Sequence, residues 1–262
     1  MRGINAAVIC SIGCIRGNNE DDFLFFGDYL TQQEINDGAH IVWHAACERA
    51  LFGVFDGMGG GDFGERASSE TARLLALREK EILSDETGAV LSRSLEEISD
   101  GIAEEARTLG MGTMGTTAAV LCLQPRTAVI SNVGDSRVYL LRDGEALLLS
   151  RDHSLVYEQV LAGRLTLEEA RVHPRSNAIT RYIGMKNRGD VRLAATRVID
   201  SFGGDRYLIC SDGVSDLLPA ARIRELLSGG ASPDETAKRI VLAALEMGGK
   251  DNATCMVIDI EA

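Results

Sequence analysis

Short runs of mainly apolar residues, separated by polar positions, occur over much of the chain. Apolar runs of about four to eight residues predict β-strands. The first runs cover residues 5–14, Phe23–Phe26 and Ala50–Phe55. Later runs cover residues 116–123, 128–133, 137–141, 145–149, 191–199, 207–210 and 253–260. Asp143-Gly144, between two of these runs, predicts a tight hairpin turn. The chain is therefore expected to be rich in hairpin-connected strands.

Apolar positions repeat with helical spacing in four other segments. These segments are residues 63–83, 89–109, 155–172 and 232–247. Thr166 with Glu169, and Ser232 with Glu235, have the spacing of capping boxes, and Pro233 suits the first turn of the last helix. The helices are thus predicted with defined starts, whereas residues 27–49 are polar, irregular and without a predicted element.

The order of these elements predicts the fold class. Strands grouped in hairpins and helices grouped in pairs disfavour a parallel βαβ alternation. We expect an α+β fold in which two antiparallel sheets are flanked by helix pairs. No proline- and serine-rich linker, low-complexity tract or repeat interrupts the chain, so residues 1–262 are expected to form a single domain.

Composition and charge exclude some partners. The chain is 45% hydrophobic and 25% charged, as is ordinary for a globular protein, but its formal net charge is -12. This excess of acid argues against a general nucleic-acid or anionic-membrane surface. It either marks acids gathered at a cation site or belongs to solvated faces.

The six cysteines form no C-x-x-C pair, and several lie inside apolar runs. They are expected to be small buried hydrophobic residues in a reducing compartment. The start of the sequence lacks a signal-peptide pattern, and no apolar run approaches about 18 residues. These features predict a cytoplasmic protein without a membrane anchor.

The first candidate for chemistry is Asp56, which ends an apolar run and precedes a glycine-dense segment that extends to Gly64. Such a segment is often only a turn. A carboxylate at a strand end beside accessible backbone oxygens also suits a hard divalent cation. The segment has neither the Gly-Lys-Ser/Thr of a P-loop nor the spacing of an EF-hand.

Other acids repeat this arrangement at strand ends or tight turns. They are Glu20, Asp21, Asp135, Asp212 and Asp251. Each alone is explained as a turn residue. Taken together, carboxylates at the mouth of a core repel one another unless cations neutralise them. Because no cluster of cysteine and histidine accompanies them, oxygen ligation of Mg²⁺ or Mn²⁺ is expected rather than Zn²⁺.

Nine short motifs occur in an order and spacing that together identify a family resemblance. They are R-G-N-N-E-D (16–21), V-F-D-G-M-G-G (54–60), F-G-E-R-A-S (63–68), M-G-T-T (114–117), N-V-G-D-S-R-V-Y (132–139), R-D-H-S-L-V (151–156), H-P-R-S-N-A-I-T-R-Y-I-G (173–184), C-S-D-G-V-S-D (210–216) and K-D-N-A-T (250–254). The chain resembles the metal-dependent protein serine/threonine phosphatases, also called type 2C phosphatases, in their compact bacterial form. The resemblance extends from about residue 5 to the end.

The resemblance implies a four-layer αββα sandwich with a metal cluster at one end and a small helical flap at about residues 155–178. It implies two Mn²⁺ or Mg²⁺ ions, and a third, weaker one. Asp56 would bridge two ions, and the carbonyl of Gly57 would bind one of them. Asp212 and Asp251 would complete the protein ligands of the other ion. Glu20 and Asp21 would act mainly through metal-bound water. Asp135 together with Asp212 would hold the third ion.

The implied reaction is hydrolysis of phosphoserine and phosphothreonine in proteins, in which a hydroxide bridging two cations attacks phosphorus in line. The expected catalytic residues are Arg16, Asp56 and Asp212. Arg16 suits the phosphoryl group because its planar fork binds two oxygens, although it could instead form only a surface salt bridge. Met58 stands where many eukaryotic members have the histidine proposed as general acid. We therefore expect metal-bound water or bulk solvent to protonate the leaving group.

The flap carries three arginines, Arg164, Arg171 and Arg175, which either dock phosphopeptide or only solvate the lobe. The expected partners are phosphorylated proteins, including a serine/threonine kinase and its substrates, and the protein is expected to be a monomer. Two other functions share this fold. One is a non-catalytic module that binds phosphoproteins, and the other is a small-molecule phosphomonoesterase. His153 is expected to have a structural hydrogen-bonding role, and no metal site is expected at His40 and His44.

Overall fold

The structure, a computed structural model, describes residues 3–31, 34, 38–59, 63–110, 112–185 and 192–261; the side chain of Leu167 is excepted. Its strands are β1 (Gly3–Ser11), β2 (Asp21–Phe25), β3 (Ala39–Ala46), β4 (Ala50–Gly59), β5 (Met114–Thr116), β6 (Ala118–Leu123), β7 (Thr127–Val133), β8 (Arg137–Arg142), β9 (Glu145–Leu148), β10 (Ala195–Asp200), β11 (Arg206–Cys210) and β12 (Ala253–Ile260). Its helices are α1 (Phe63–Ile82), α2 (Ala89–Thr108), α3 (Leu155–Leu161), α4 (Leu167–Arg171), α5 (Asp212–Ser215), α6 (Ala220–Leu227) and α7 (Pro233–Glu246).

The strands form two antiparallel sheets. The first has the order β3-β1-β12-β11-β8-β9, and the second has the order β10-β7-β6-β4-β2, with β5 pairing with the end of β4. Side chains such as Val8, Phe52, Ile130 and Met256 fill the space between the sheets and are fully buried. This apolar layer holds the two sheets face to face.

Helices cover the outer face of each sheet. Leu75 of α1 and Leu95 of α2 pack with residues of the second sheet such as Val120, all without exposed area. On the other side, Ile240 of α7 packs with Leu208 of β11. The predicted αββα sandwich is therefore confirmed. In the part of the chain that the structure describes, no helix is long and apolar enough to cross a membrane.

Several local predictions are confirmed. Asp143 and Gly144 both have positive φ, 53° and 78°, as the two-residue hairpin requires. The Thr166 and Glu169 capping box is complete at the start of α4. Ser232 accepts a hydrogen bond from the Glu235 backbone N–H at 3.2 Å, which is half of the second predicted box. The Glu235 carboxylate instead bonds to Arg239.

The structure corrects the sequence prediction in three places. Residues 39–46 form the edge strand β3, which the sequence analysis left without an element. The helix predicted over residues 155–172 is two short helices, interrupted near Gly163, whose φ of 68° is left-handed. Helices α5 and α6 were not predicted. Of the six cysteines, all unpaired, Cys14 is exposed and Cys47 is half-buried, whereas the other four are buried as expected.

The topology brings the predicted acids to one end of the sandwich. Asp21 opens β2 and lies directly opposite Asp56 of β4 in the sheet register. Asp135 lies in the turn from β7 to β8, Asp212 begins α5 directly after β11, and Asp251 precedes β12. Five strand ends from both sheets thus deliver carboxylates to one cleft.

Candidate metal centre

The centre of the cleft is the pair Asp56 and Asp212. Their carboxyl groups lie close enough to interact directly, and both are half-buried. Burial, followed by repulsion from Asp212 and Asp21, raises the pKa of Asp56 well above its ordinary value. Burial also raises the pKa of Asp212. Two carboxylates in contact require either a shared proton or a cation, so this pair fits a cation-binding role.

Asp21 has an oxygen that lacks a partner. Its Oδ2 accepts hydrogen bonds from Ser211 Oγ at 2.8 Å and from Thr254 Oγ1 at 2.7 Å. Its Oδ1 is buried and has no hydrogen-bond partner among the described residues. Burial raises the pKa of this carboxyl to about 7. Leaving a buried oxygen unsatisfied costs about 1–3 kcal/mol, so the site is built for an additional positive group.

Gly57 occupies a position that no larger residue could fill. A Cβ placed there would lie 2.3 Å from the carbonyl oxygen of Gly64 and 2.5 Å from that of Glu20. The Gly57 N–H donates to the Glu20 carbonyl at 3.0 Å, which ties the end of β4 to the loop before β2. Residues 60–62 of the glycine-dense segment lie outside the described residues.

The loop that carries Arg16 and Glu20 is fixed by one amide. Asn252 is 4% exposed, and its Oδ1 accepts from the Glu20 backbone N–H at 2.8 Å. Its Nδ2 donates to the carbonyls of Ile12 at 3.0 Å and Asn18 at 2.9 Å. The Asn252 side chain therefore holds the loop against the segment before β12. This segment also contains the candidate metal ligand Asp251.

Arg16 lies at this edge of the cleft. Its Nη2 is 2.6 Å from Oδ2 of Asp251, and this hydrogen bond raises the pKa of the guanidinium. Glu20 is half-buried and accepts a hydrogen bond from Asn18 Nδ2 at 3.3 Å. Burial raises the pKa of Glu20. Arg16 is thus charged, partly exposed and close to the acids, as a phosphate-binding residue requires.

Asp135 interacts with both residues of the central pair and lies in a turn that His153 supports. Burial, followed by repulsion from Asp212, raises the pKa of Asp135 well above its ordinary value. His153 Nδ1 accepts from the Gly134 N–H at 3.2 Å, and the His153 N–H donates to the Gly134 carbonyl at 2.8 Å. Burial, and then Arg181, lowers the pKa of His153 to about 4, so the ring is a neutral acceptor. These bonds agree with the structural role expected of His153.

The three flap arginines differ in position. All are exposed, but only Arg171 lines the cavity that has Asp135 in its wall. Arg164 and Arg175 do not line this cavity. The structure therefore brings one of the three candidate docking residues close to the predicted metal centre.

The donor set fits hard divalent cations. All the candidate donors are carboxylate or carbonyl oxygens, the ligands that Mg²⁺ and Mn²⁺ prefer. Within the described ranges, no three histidine, cysteine, aspartate or glutamate side chains form a chelating group by themselves. Cations here would therefore need water or substrate oxygens to complete their coordination, as Mg²⁺ commonly does.

Comparison with known proteins identifies the family. The sequence model described as Protein phosphatase 2C matches residues 29–253. The chain belongs to this family. It is 34% identical over 211 residues to the serine/threonine phosphatase stp of Listeria innocua, covering 79% of this chain and 82% of that protein. The predicted family and the predicted class of enzyme, a protein serine/threonine phosphatase, are thus confirmed.

Solved structures agree with this family assignment. The crystal structure of the Mycobacterium tuberculosis serine/threonine phosphatase PstP/Ppp superimposes with a TM-score of 0.82 at 31% identity, covering 99% of this chain and 100% of that one. The catalytic domain of PstP in complex with two manganese ions gives a TM-score of 0.81 at 30% identity, covering 100% of both chains. These matches include the segment of Arg16 and Glu20, which precedes the matched family residues.

Four polar residues of the site were missed by the sequence analysis. They are Thr117, Ser211, Asn252 and Thr254. Thr117 Oγ1 accepts from the Asp56 N–H at 3.0 Å, and the other three orient Asp21 and the loop of Glu20. All four lie within the family motifs, beside or near an acid, which was the only signal available in the sequence.

Proposed function

We propose that the chain hydrolyses phosphoserine and phosphothreonine in proteins at the cleft around Asp56, with Mn²⁺ or Mg²⁺, and so opposes serine/threonine kinases. The observation that carries this proposal is the direct interaction of the Asp56 and Asp212 carboxyl groups, with Asp21, Asp135 and Asp251 around them, at the end of a type 2C sandwich. Without a cation these acids would have to hold protons at neutral pH, so a bound cation stabilises their ionised forms.

The proposed cation ligands follow the family motifs. They are Asp56, the carbonyl of Gly57, Asp212 and Asp251 for two cations, with Glu20 and Asp21 acting through water, and Asp135 with Asp212 for a third. The two manganese ions in the PstP complex support a pair of divalent cations. When bound, the cations supply a water that ionises near neutral pH and offset the phosphoryl charge.

The remaining groups bind and orient. Arg16 binds the phosphoryl oxygens through its planar fork. Ser211 and Thr254 hold one oxygen of Asp21 and leave the other available, and Asn252 fixes the loop of Arg16. Since Met58 has no transferable proton, water protonates the leaving alkoxide.

The expected cellular setting is also a proposal. The partners are phosphorylated proteins, including a kinase and its substrates, and the protein acts as a monomer in the cytoplasm. The unpaired state of all six cysteines supports a reducing compartment. We propose that residues 1–262 act as one domain with a flap at residues 155–178, and that Arg164, Arg171 and Arg175 help to dock substrates.

The test is phosphate release from a phosphothreonine peptide with Mn²⁺, with Mg²⁺ and with excess EDTA. Wild-type protein should turn over only with metal, and Asp212→Asn should lose nearly all turnover. Asp143→Asn is the matched control, because it removes one carboxylate from an exposed turn whose positive φ asparagine also adopts. Absence of turnover in folded wild-type protein would favour the non-catalytic binding module. Turnover of small phosphomonoesters alone would favour the small-molecule enzyme.

A further inference from the structure

A cavity of about 210 Å³ lies between the flap and the body of the protein. Its walls come from helices α3 and α4 of the flap, from the β8–β9 hairpin and from the segment that joins α5 to α6. Asp135 also lines it, so the cavity adjoins the proposed metal centre. Because a water molecule occupies about 30 Å³ of liquid, the volume accommodates a single long side chain.

Much of the cavity wall is apolar. Tyr139, Leu148, Val156 and Leu218 all contribute to it. A wall of this kind packs well against the methylene stem of a long side chain. The occupant is therefore expected to have an aliphatic part.

Two polar groups in the wall lack partners. Ser215 is 2% exposed, and its Oγ has no hydrogen-bond partner among the described residues. Asp216 is exposed, and within the described part of the chain its carboxylate makes neither an ion pair nor a hydrogen bond. A buried hydroxyl without a partner is uncommon in a folded protein, so this wall is suited to a ligand with hydrogen-bond donors.

The charge in the cavity is negative. Arg137 pairs with Asp152 at 2.6 Å, which balances both groups. Asp135 is assigned to a cation, so the remaining charged groups in the wall are Asp216 and Glu168, against Arg171 alone. A ligand that occupies this space is therefore expected to be cationic.

We propose that this cavity binds the side chain of a lysine or arginine close in sequence to the phosphorylated residue of a protein substrate. The methylene stem lies against the apolar wall, and the cationic end contacts Asp216 and Ser215. The inference rests on the proposed function, because it places the phosphorylated residue at the proposed metal centre. This centre adjoins the cavity, since Asp135 belongs to both. It identifies Asp216 as a residue that determines sequence preference.

The test uses phosphothreonine peptides in which one lysine is moved through successive positions on either side of the phosphothreonine. Each lysine peptide is paired with a norleucine peptide, which keeps the stem and removes the charge. At one or more positions, wild-type protein with Mn²⁺ should prefer lysine by about tenfold in kcat/KM, since a charged contact of this kind contributes roughly that factor.

Enzyme variants assign this preference to the cavity. Asp216→Asn should bring the lysine-to-norleucine ratio of kcat/KM close to one, and Ser215→Ala should reduce it by a smaller factor. Asp143→Asn, which removes the same charge from the tip of the neighbouring hairpin, should keep the wild-type ratio. The ratio is the readout because a general loss of folding or metal binding lowers both peptides equally.

Two results would overturn the proposal. One is a ratio near one at every position in the wild type, and the other is an equal loss on both peptides in Asp216→Asn, which would place Asp216 in the metal centre. If the wild type releases no phosphate from any peptide, the proposed function fails instead. The cavity is then tested by the affinities of the intact peptides in fluorescence anisotropy, where the lysine peptide should still bind about tenfold more tightly.

Discussion

The guanidinium of Arg16 and the carboxylate of Asp251 lie 2.6 Å apart, although the first is proposed to bind phosphate and the second a cation. The side chains are 49% and 30% exposed, respectively. An ion pair this exposed contributes only about 0–1 kcal/mol to folding. Each residue can therefore leave its partner for a substrate or a metal ion at little cost.

This relationship separates two roles for Arg16. Arg16→Ala should change the melting temperature by no more than about 4 °C, because the pair is weak. It should lower kcat/KM for a phosphopeptide by about 10²–10³, because a donor to the developing phosphoryl charge is lost. Arg16→Lys should recover only part of this activity, since lysine keeps the charge but not the fork.

The control for Arg16 is Arg239→Ala. Arg239 forms an exposed pair with Glu235, in which the side chains are 52% and 49% exposed. Arg239→Ala should have the same melting temperature as Arg16→Ala and the same rate of phosphate release as the wild type. If the two variants are equally active, Arg16 forms only an ordinary surface salt bridge and does not bind the phosphoryl group.

Substitution of Asn252 should lower the stability of the protein and raise its KM for substrate. Asn252→Ala removes the partners of the Glu20 N–H and of the carbonyls of Ile12 and Asn18. We expect a loss of about 1–3 kcal/mol in urea unfolding and a rise in KM for phosphopeptide that exceeds any fall in kcat, because the loop of Arg16 loosens.

A second substitution refines this test. Asn252→Asp keeps the acceptor for Glu20 but replaces the donor to the two carbonyls, so it should resemble the alanine variant in KM. If the same stability is lost without any change in KM, Asn252 is a structural residue only.

The flap arginines provide a test of docking. The double variant Arg164→Glu, Arg175→Glu should have a KM for a phosphoprotein that is raised several-fold relative to its KM for a small aryl phosphate. The reason is that only the protein substrate reaches the flap. The measurement is the ratio of the two KM values at low and high salt, and the effect should shrink as salt screens it. Equal changes for both substrates would exclude docking.

The fold was predictable where burial imposes a period. Leu91, Leu95, Ile98 and Ile102 of α2 are all buried, as their helical spacing predicts. By contrast, β3 is an edge strand whose side chains are mostly exposed, so its sequence alternates poorly and the strand depends on pairing with β1. Helix α5 has four residues, too few to show a period.

The site was predictable to the extent that its chemistry lies in charged motif residues. Carboxylates such as Asp56 and Asp212 are conspicuous in a sequence, and the structure brings them together. The hydroxyls of Ser211 and Thr254 were not predictable as partners of Asp21, because this contact joins residues 190 or more positions apart. The unpartnered Oγ of Ser215 likewise depends on tertiary packing.

Asp212→Asn should have opposite effects on the melting temperature in the absence and in the presence of Mn²⁺. Without metal, Asp212→Asn should raise the melting temperature, because it removes a carboxylate that repels Asp56 and Asp135. With Mn²⁺, the wild type should gain several degrees through binding to the folded state, and the variant should gain less.

Thermal unfolding in EDTA and in a Mn²⁺ series measures this crossover, with Asp143→Asn as the charge-matched control. A wild type that melts at the same temperature in EDTA and in millimolar Mn²⁺ would contradict the assignment of the acids to cations.

Asp22 should make the metal-free protein less stable at alkaline pH. It lies next to Asp21 but accepts from the backbone N–H groups of Phe23 at 2.6 Å and Leu30 at 3.0 Å, and its Oδ2 is buried without a described partner. Burial raises the pKa of this carboxyl from 3.8 to about 7. Because the folded state then binds more protons than the unfolded state, the stability contributed by the protonated carboxyl is complete below pH 3.8 and is lost as pH rises through 7.

Asp22→Asn isolates this effect, because asparagine keeps an oxygen that accepts from the N–H groups of Phe23 and Leu30 but cannot ionise. In EDTA, the variant should equal the wild type within about 0.5 kcal/mol at about pH 3, where Asp22 is protonated in both the folded and the unfolded state. It should be more stable by about 4 kcal/mol at about pH 8, where the wild type must bury a carboxylate or release its structure around Leu30. Urea unfolding of both proteins across this pH range measures the difference. A constant difference would show that Asp22 does not change protonation between the folded and unfolded states.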